Sequence, residues 1–551
     1  MSIRHYVLAA TDGYIELPTS PDLPPVETHR RKIYVFGFVG GLYSVNDKVV
    51  NKALDFKNPS NWPKFKNLIG TATIPSPVIW GEIGDKVYVT LINLGMPIAG
   101  IMDPHTVHMH GAHVATQLDG FPESSFGVPM WMDFDKAPPK ATYLFDMEHP
   151  GTYMYHCHVE ASEHVQMGMY GALVVYPSME SLELAGIKKS CDGNWMYNGI
   201  PQHHIPKTAT NRNFAYNDIG SYSDKEYVML LSDIDTRWHD SVETGGNFNS
   251  VDFRPDFWLV NGRAFPDTLL PHPLTPASGC NMNLSQLNYE SYVHVKTGEM
   301  FLLRMINMGY QVVPWHIHGW HFAVIGKDAS PSPLLKISEA LGLKGHGALQ
   351  MGFTATIGSG ETFDLMIEAE NKAPQYRNYI VNGQDCISSL CNQMYKIYNT
   401  NPGAIANIPT QPVNINDINT VNYVDICHEP ICVNENFFPQ FYPMHNHDDY
   451  KVTNNGVYPG GQLTYIQADA PDNMLDDVPN NPPHHTNEIE YSFPHFVPIH
   501  NHDEYEFINN EVPDHTDEMD HSFPHFVPIH NHDYYEFTKY EFAKYESTNN
   551  E

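Results

Sequence analysis

The chain has 551 residues, of which 64 are acidic and 31 basic, so its formal net charge is -33. This balance argues against a nucleic-acid or anionic-membrane surface, since both need clustered Lys and Arg, and it would attract cations. The chain holds 32 His and 23 Met but only 7 Cys, and imidazole and thioether groups are ligands for copper, zinc and iron. The length predicts more than one domain. The sequence contains no run of 18 apolar residues, so we expect no membrane-spanning segment.

Short β-branched and aromatic segments follow one another along the chain, separated by Gly, Pro, Asn and Asp. In chain order they include KIYVFGFVGG, DKVYVTLINLG, YGALVVYP, EYVMLLSDID and EMFLLRMINMG. Such segments are typical of strands, whereas long stretches with helical periodicity are hard to find. The sequence therefore predicts an all-β protein built from sandwiches.

An internal comparison predicts the same module twice. GDKVYVTLINLG at 84–95 matches GEMFLLRMINMG at 298–309, and each is soon followed by His-x-His-Gly. Residues 484–551 hold 15 acidic residues, 2 Lys and 10 His, a composition typical of a largely disordered tail. The predicted parts are an N-terminal extension at 1–29, the first module at 30–178, a connector at 179–221, the second module at 222–468 with a loop inserted at about 372–437, and the tail at 469–551.

Four His-x-His pairs stand out within the two modules. Residues i and i+2 of a strand point to the same face, so each pair presents two imidazoles to one metal centre. Together the eight imidazoles fit a cluster of three copper ions. The predicted ligands of this trinuclear centre are His108, His110, His156, His158, His316, His318, His445 and His447.

A second centre is predicted around a Cys that stands inside a His pair. Cys157 lies between His156 and His158, sharing their backbone while its side chain faces the opposite way. A thiolate with two imidazoles and a distant thioether is the ligand set of a type 1, blue copper site. An electron at that site would have a short covalent route to the trinuclear centre through the His-Cys-His tripeptide. The predicted type 1 ligands are His105, Cys157, His164 and Met169.

These motifs resemble those of the multicopper oxidases. HTVHMHG and YHCHVEASEHVQMGM are similar to the family's type 1 and trinuclear motifs, and PWHIHG and YPMHNHD to the other half of its trinuclear set. The resemblance covers roughly residues 30–468, and it implies two cupredoxin-like Greek-key β-sandwich domains with about four copper ions per protomer. His164 lies seven residues after Cys157 instead of the family's five, which we interpret as a two-residue insertion because Met169 keeps its spacing from His164.

The second module lacks a type 1 site in this interpretation. Val313 stands at the position that matches His105, and Asn446 stands at the position that matches Cys157. The layout resembles the two-domain multicopper oxidases whose type 1 copper lies in domain 1. In that group the trinuclear cluster forms between domain 1 of one subunit and domain 2 of the next, so the resemblance implies a homotrimer.

The resemblance implies an oxidase that takes single electrons from a reductant at the type 1 copper and reduces O2 to water at the trinuclear centre. Phenols, amines and metal ions stay open as reductants, and the acidic composition favours cations. We expect His164, or alternatively His158, to face the substrate, and Asp103 or Asp119 to relay protons. A copper nitrite reductase, which needs only three His at its second copper, and a non-catalytic copper-sequestering protein are the alternatives.

Two features lie outside these centres. The segment FYPMHNHD recurs near the chain's end as FVPIHNHD at 496–503 and 526–533, without the strands that follow the first copy, so we predict that these copies are not copper sites. The chain's start is a poor secretory signal, although copper oxidases favour an extracytoplasmic or surface location. Six further Cys could pair or remain free thiols: Cys191, Cys280, Cys386, Cys391, Cys427 and Cys432.

Overall fold

The protein is described by a computed structural model. It covers residues 2–19, 30–269, 290–336, 349–370 and 440–469, with short strands at Ile380–Val381, Gln384–Asp385, Phe523–Phe526 and Phe537–Tyr540. Strands dominate these residues, which confirms the predicted all-β class. None of the helices in the described ranges is long and apolar enough to cross a membrane. Short 3-10 helices lie at Lys52–Leu54, Pro59–Leu68, Thr116–Leu118, Asn211–Asn213, Ile219–Ser221, Ser250–Asp252, Asp267–Leu269 and Asp449–Lys451.

The first sandwich consists of nine strands in two sheets. They are β1 (Ile3–Pro18), β2 (Arg30–Val45), β3 (Lys48–Val49), β4 (Ser76–Glu82), β5 (Lys86–Asn93), β6 (His108–His110), β7 (Lys140–Asp146), β8 (Gly151–His156) and β9 (Tyr170–Tyr176), with helix α1 (Ala161–Gln166) between the last two. One sheet has the order β3-β2-β1-β5-β7, and the other has the order β4-β9-β8-β6. The side chains between the sheets form a core that contains Cys157 and Met169.

The first sandwich begins earlier in the chain than expected, because it includes strand β1. We expected residues 1–29 to be an extension, but β1 pairs antiparallel with β2 and parallel with β5, at the centre of its sheet. A strand that is covered on both faces reads as one apolar run rather than as an alternation. The sequence did not predict this strand, because the apolar run YVLAA is short and is soon followed by Asp12. In the structure Asp12 is buried and accepts a hydrogen bond from the hydroxyl of Tyr34 at 2.9 Å.

The connector folds into a small unit of its own. It contains α2 (Met179–Leu184) and a three-stranded sheet of β10 (Ile187–Lys189), β11 (Trp195–Tyr197) and β12 (Ile200–Pro201). Trp195 is fully buried in an apolar cluster with Leu182, Ile187 and Phe214. The connector therefore links the two sandwiches in sequence and also has an apolar cluster of its own.

The second sandwich again has two sheets. Its elements are β13 (Lys225–Ile234), α3 (Thr236–Glu243), β14 (Phe257–Val260), β15 (Val293–Lys296), β16 (Met300–Asn307), β17 (Val313–Ile317), β18 (Phe322–Lys327), β19 (Ser330–Pro331), β20 (Met351–Gly352), β21 (Thr354–Ile357), β22 (Thr362–Glu368), β25 (Gln440–Asn446) and β26 (Leu463–Asp469). One sheet has the order β14-β13-β16-β22-β18-β19, with β20 beside β18, and the other has the order β15-β26-β25-β17-β21. Strands β13 and β16 are parallel, as β1 and β5 are.

The two matched sequence segments end in the same hydrogen-bonded arrangement. Asn93, at the end of β5, donates from its amide to two backbone carbonyls and accepts the N–H of Gly95 at 2.8 Å. Asn307, at the end of β16, also donates to two carbonyls and accepts the N–H of Gly309 at 3.0 Å. Both amides are fully buried, so each satisfies backbone groups that would otherwise lack partners. Each Asn thereby fixes the start of the loop that leads to a His-x-His pair.

Apart from the ends of β25 and β26, both sandwiches belong to one compact unit, which comprises residues 1–370 and 442–466. Trp80, Met154 and Tyr170 of the first sandwich share an apolar cluster with Leu230 and Ile306 of the second. Fully buried Arg304 adds a polar contact, since it donates at 2.8 Å to Glu226 in its own sandwich and at 3.0 Å to Thr152 in the other.

A second unit comprises residues 371–441 and 467–551. Its described parts include two antiparallel strand pairs, β23 (Ile380–Val381) with β24 (Gln384–Asp385) and β27 (Phe523–Phe526) with β28 (Phe537–Tyr540). The rest of the predicted inserted loop and of the predicted tail, including His500, His502, His530 and His532, lies outside the described residues.

Candidate metal centres

Strand pairing brings the two His pairs of the first sandwich together. Strand β6 pairs antiparallel with β8, which places His108 opposite His156. The four imidazoles of His108, His110, His156 and His158 are here called the first quartet. In five of their six pairs the ring centroids lie 5.2 to 5.9 Å apart. All four side chains are partly exposed. The predicted ligands therefore form one group at an accessible edge of the sandwich.

The second sandwich repeats this arrangement. Strand β17 pairs antiparallel with β25, with His316 opposite His445. The imidazoles of His316, His318, His445 and His447 form the second quartet. In five of their six pairs the ring centroids lie 4.8 to 5.6 Å apart. Ring contacts join imidazoles within each quartet, and within the described parts of the chain none joins one quartet to the other.

Backbone carbonyls fix which nitrogen of these rings is free. Nδ1 of His108 and of His156 each lies 2.9 Å from a backbone carbonyl oxygen. Nδ1 of His316 and of His445 makes the same contact at 2.6 and 2.9 Å. A carbonyl can only accept, so each Nδ1 carries the proton and each Nε2 keeps a lone pair. This second partner is what orients His ligands at metal sites.

Burial lowers the pKa of five of the eight quartet imidazoles, which favours their neutral form: His108, His110, His156, His318 and His445. Burial and, to a smaller extent, the neighbouring imidazoles lower the pKa of His156 to about 3 and that of His318 to about 4. Nε2 of His318 lies 3.1 Å from Nε2 of His445. Because Nδ1 of His445 donates to a carbonyl, its Nε2 accepts in this contact and His318 donates; loss of the His318 proton would free both nitrogens for a cation. The residues present thus fit metal ions that bind through imidazole nitrogen.

Cys157 forms a buried group of three ligand-type side chains with His105 and His164. Its Sγ lies 3.4 Å from Nδ1 of His164 and 3.8 Å from Nδ1 of His105, and all three side chains are fully buried. One thiolate and two imidazoles that converge in an apolar core fit a type 1 copper site. Burial of the three residues also excludes water from the position between them.

The chain around α1 explains how His164 reaches Cys157. The N–H of Cys157 donates to the carbonyl of Met169 at 3.0 Å, and the N–H of Met169 donates to the carbonyl of His164 at 3.0 Å. These two bonds close a loop that contains α1, whose buried side carries His164. Met169 is fully buried in the same core cluster as Cys157. The structure therefore brings together three of the four predicted type 1 ligands and places the fourth in the same core.

The family comparison matches this part of the chain. Residues 46–179 match the family model described as multicopper oxidase. They contain the first quartet and all four predicted type 1 ligands. Over these residues the chain is similar to a multicopper oxidase domain. The cofactor of this family is copper.

Relatives with similar sequences match short parts of the chain. The multicopper oxidase MmcO of Mycobacterium tuberculosis is 35% identical over 88 residues, which are 16% of this chain and 15% of that protein. Human ceruloplasmin is 30% identical over 196 residues, 31% of this chain and 17% of that protein. The chain thus spans less than a fifth of the length of either relative. Among solved structures, the blue copper oxidase of Nitrosomonas europaea is 20% identical, with a TM-score of 0.45 and coverage of 85% of this chain and 86% of that one.

The two predicted acidic residues, Asp103 and Asp119, lie beside different groups. Oδ2 of Asp103 is 3.9 Å from Nε2 of His164. The backbone carbonyl of Asp119 instead accepts a hydrogen bond from Nδ1 of His108, and Oδ2 of Asp119 lies 3.7 Å from the same Nδ1. Only Asp119 is therefore in direct contact with an imidazole of the first quartet.

The position of His164 differs from the expectation. We expected its ring to approach the surface, but its side chain is 0% exposed, whereas Asp103 is 40% exposed. Phe36 covers the ring edge-on, with centroids 5.7 Å apart. Burial lowers the pKa of His164, but Asp103 and Cys157 outweigh this and raise it to about 9. His164 in turn lowers the pKa of the partly exposed carboxylate of Asp103.

The second sandwich replaces the type 1 ligands with a hydrogen-bonded amide pair. The N–H of Asn446 donates to the carbonyl of Gln462 at 3.0 Å, as the N–H of Cys157 does to Met169. Nδ2 of Asn446 also donates to Oε1 of Gln462 at 2.8 Å, and both side chains are buried. Val313, at the place of His105, is buried as well. The sequence identified Asn446 and Val313 but missed Gln462, because the loop before it is longer than the loop before Met169.

Two of the seven cysteines lie in the described ranges. Cys157 is buried and free, and Cys191 is exposed and free. The other five, Cys280, Cys386, Cys391, Cys427 and Cys432, lie outside the described residues, so their pairing stays open.

Proposed function

We propose that this protein is a copper-dependent oxidase of the two-domain type. It would couple one-electron oxidation of a reductant to the four-electron reduction of O2 to water. One observation carries the proposal: the buried thiolate of Cys157 lies on the same strand end as His156 and His158 of the first quartet, but on its other face. Bound copper would supply the one-electron redox chemistry at both centres.

The residues around Cys157 have distinct tasks in this proposal. His105, Cys157, His164 and the more distant Met169 would hold the type 1 copper in a site without water. The peptide bonds between Cys157 and its two neighbours join that site covalently to the first quartet. A hydrogen bond adds a second link, because the backbone carbonyl of Cys157 accepts from Nδ1 of His156 at 2.9 Å.

The trinuclear centre would form from two subunits. We infer that the two sandwiches are a repeat, and that the first quartet of one subunit meets the second quartet of the next in a homotrimer. Two observations support this: both quartets are partly exposed, and no ring contact joins them within the described residues of one chain. Eight imidazoles, four of them with Nε2 freed by a carbonyl at Nδ1, would then face one another across the subunit interface.

Acidic side chains favour a cationic reductant. Asp103, Glu160 and His164 each offer a ligand-type atom, and these atoms lie within 4.8 Å of one another. Asp103 stays negatively charged, because His164 lowers its pKa. A metal ion such as Fe(II) or Cu(I), or a protonated amine, would be attracted to these carboxylates, so we place such reductants before neutral phenols. Electrons would enter through His164 from a donor held at Asp103.

The test is turnover by the copper-loaded protein and by its Cys157→Ser variant. We expect O2 consumption with Fe(II) or an aromatic amine that is lost in the variant, and copper close to four ions per protomer. Reduction of nitrite with two coppers per protomer would instead support the nitrite reductase alternative. Copper binding without turnover of any of these reductants would support the sequestering protein.

A further inference from the structure

A third group of ligand-type side chains lies outside both copper centres. His113, Glu148 and His149 each offer one ligand atom, and these atoms all lie within 4.8 Å of one another. Nδ1 of His113 is 3.4 Å from Oε2 of Glu148, and the two imidazole rings have centroids 5.1 Å apart. All three side chains are exposed. None belongs to a quartet or to the type 1 ligands.

The register of the sheet explains why these residues meet. His113 follows β6, whereas Glu148 and His149 precede β8. Because β6 and β8 pair antiparallel, with His110 opposite Met154, the end of one strand and the start of the other lie at the same edge of the sheet.

Further contacts hold the two loops together. The hydroxyl of Tyr153 donates to the carbonyl of His149 at 3.0 Å. The ring of Tyr153 also packs against Gly111, which has φ +89°, and a Cβ at that position would lie 3.2 Å from the ring. The loop that carries His113 is thereby placed against the loop that carries His149, and the ligand group is built before any ion binds.

The group lies at a cavity of about 610 Å3. His113 and His149 line it, as do the acidic residues Asp218 and Asp328 and the basic residue Lys336. A cation at the ligand group would therefore have room for further ligands on the cavity side. The acidic excess of the whole chain would favour its entry.

We propose that His113, Glu148 and His149 bind a divalent transition-metal ion as a site separate from the copper centres. Two imidazoles and one carboxylate suit Zn2+, Co2+, Ni2+ and Cu2+, and three protein ligands leave coordination positions open to water or to an anionic ligand. The inference does not depend on the proposed oxidase function, since it uses no residue of that machinery.

The test is a residue-specific footprint on the full chain after a chelator has removed all metal, because bound copper would block the site against Zn2+. Diethylpyrocarbonate modifies accessible imidazoles, and peptide mass spectrometry reads His113, His149 and the exposed His203 of the connector separately, so ion binding by other His does not interfere. We expect Zn2+ to protect His113 and His149 together, at the same half-protecting concentration, while His203 keeps reacting. Equal reactivity of the pair with and without 1 mM Zn2+, or equal protection of His203, would overturn the proposal.

Two variants separate a three-ligand site from weak association with imidazoles. Glu148→Gln removes one ligand at an exposed position, and we expect it to raise the half-protecting Zn2+ concentration at least about tenfold. Glu183→Gln, an exposed glutamate on α2, is the matched control and should leave that concentration unchanged. Thermal unfolding verifies that both variants fold. An unchanged Zn2+ concentration in Glu148→Gln would contradict the site.

Discussion

Replacing Asn446 by Ala should destabilise the protein by about 3 kcal/mol without removing a type 1 ligand. The variant loses the bond from Asn446 Nδ2 to Gln462 Oε1, 2.8 Å, and the bond from the N–H of Asp448 to Asn446 Oδ1, 3.0 Å. Each bond is worth about 1 kcal/mol net, and a buried Gln462 oxygen without a donor costs about 1 kcal/mol or more. Because Asn446 lies between His445 and His447, the second quartet should also loosen.

Urea unfolding of the copper-free protein measures this loss. The matched control is Asn501→Ala, which makes the same change in the HNH sequence near the end of the chain. We expect the control to change the unfolding free energy by less than about 0.5 kcal/mol. We propose that the Asn446–Gln462 pair stabilises the second sandwich at the place that a copper site occupies in the first. This idea would be refuted if Asn446→Ala lowered the unfolding free energy by less than about 1 kcal/mol, or by as much as the control.

Three further outcomes are expected. Asp103→Asn should raise KM for Fe(II) by up to about fivefold and leave KM for a neutral phenol unchanged; equal changes for both substrates would show that the carboxylate does not select cations. The copper-free protein should lose stability as the pH falls from about 6.5 towards 3, because burial lowers the pKa of His156 from 6.5 to about 3. In that range the unfolded chain binds the proton first, so this group contributes at most about 1.4 kcal/mol per pH unit. Chemical unfolding at pH 7 and pH 5 checks it, and greater stability at pH 5 would contradict it. Deleting residues 480–551 should leave the visible spectrum and O2 consumption intact, and loss of either would assign the later HNH copies a role in the copper centres.

The two histidine quartets could be predicted because their geometry is local. Alternate residues of a strand face the same way, so a His-x-His pair already fixes two ligands relative to each other. The repeated motifs around Asn93 and Asn307 then indicated which strands correspond, and the structure gives both side chains the same hydrogen-bond pattern. Cys157, inside a pair, followed from the same alternation.

Features that depend on distant contacts could not be predicted. The central place of β1 arises from its pairing with β2 and β5, which no pattern within residues 3–18 reveals. The burial of His164 depends on Phe36, which lies far away in the sequence. The group of His113 with His149 depends on the register of β6 and β8, because the two residues lie in separate loops.

The absorption spectrum of the purified, copper-loaded full chain, recorded beside its Cys157→Ser variant, tests the central claim most directly. A thiolate bound to Cu(II) gives an intense charge-transfer band, so we expect a strong orange-red absorption that the variant loses while it keeps the copper of the quartets. A copper-loaded protein that shows no such band, or a band that survives Cys157→Ser, would contradict the assignment of Cys157 to a type 1 copper site.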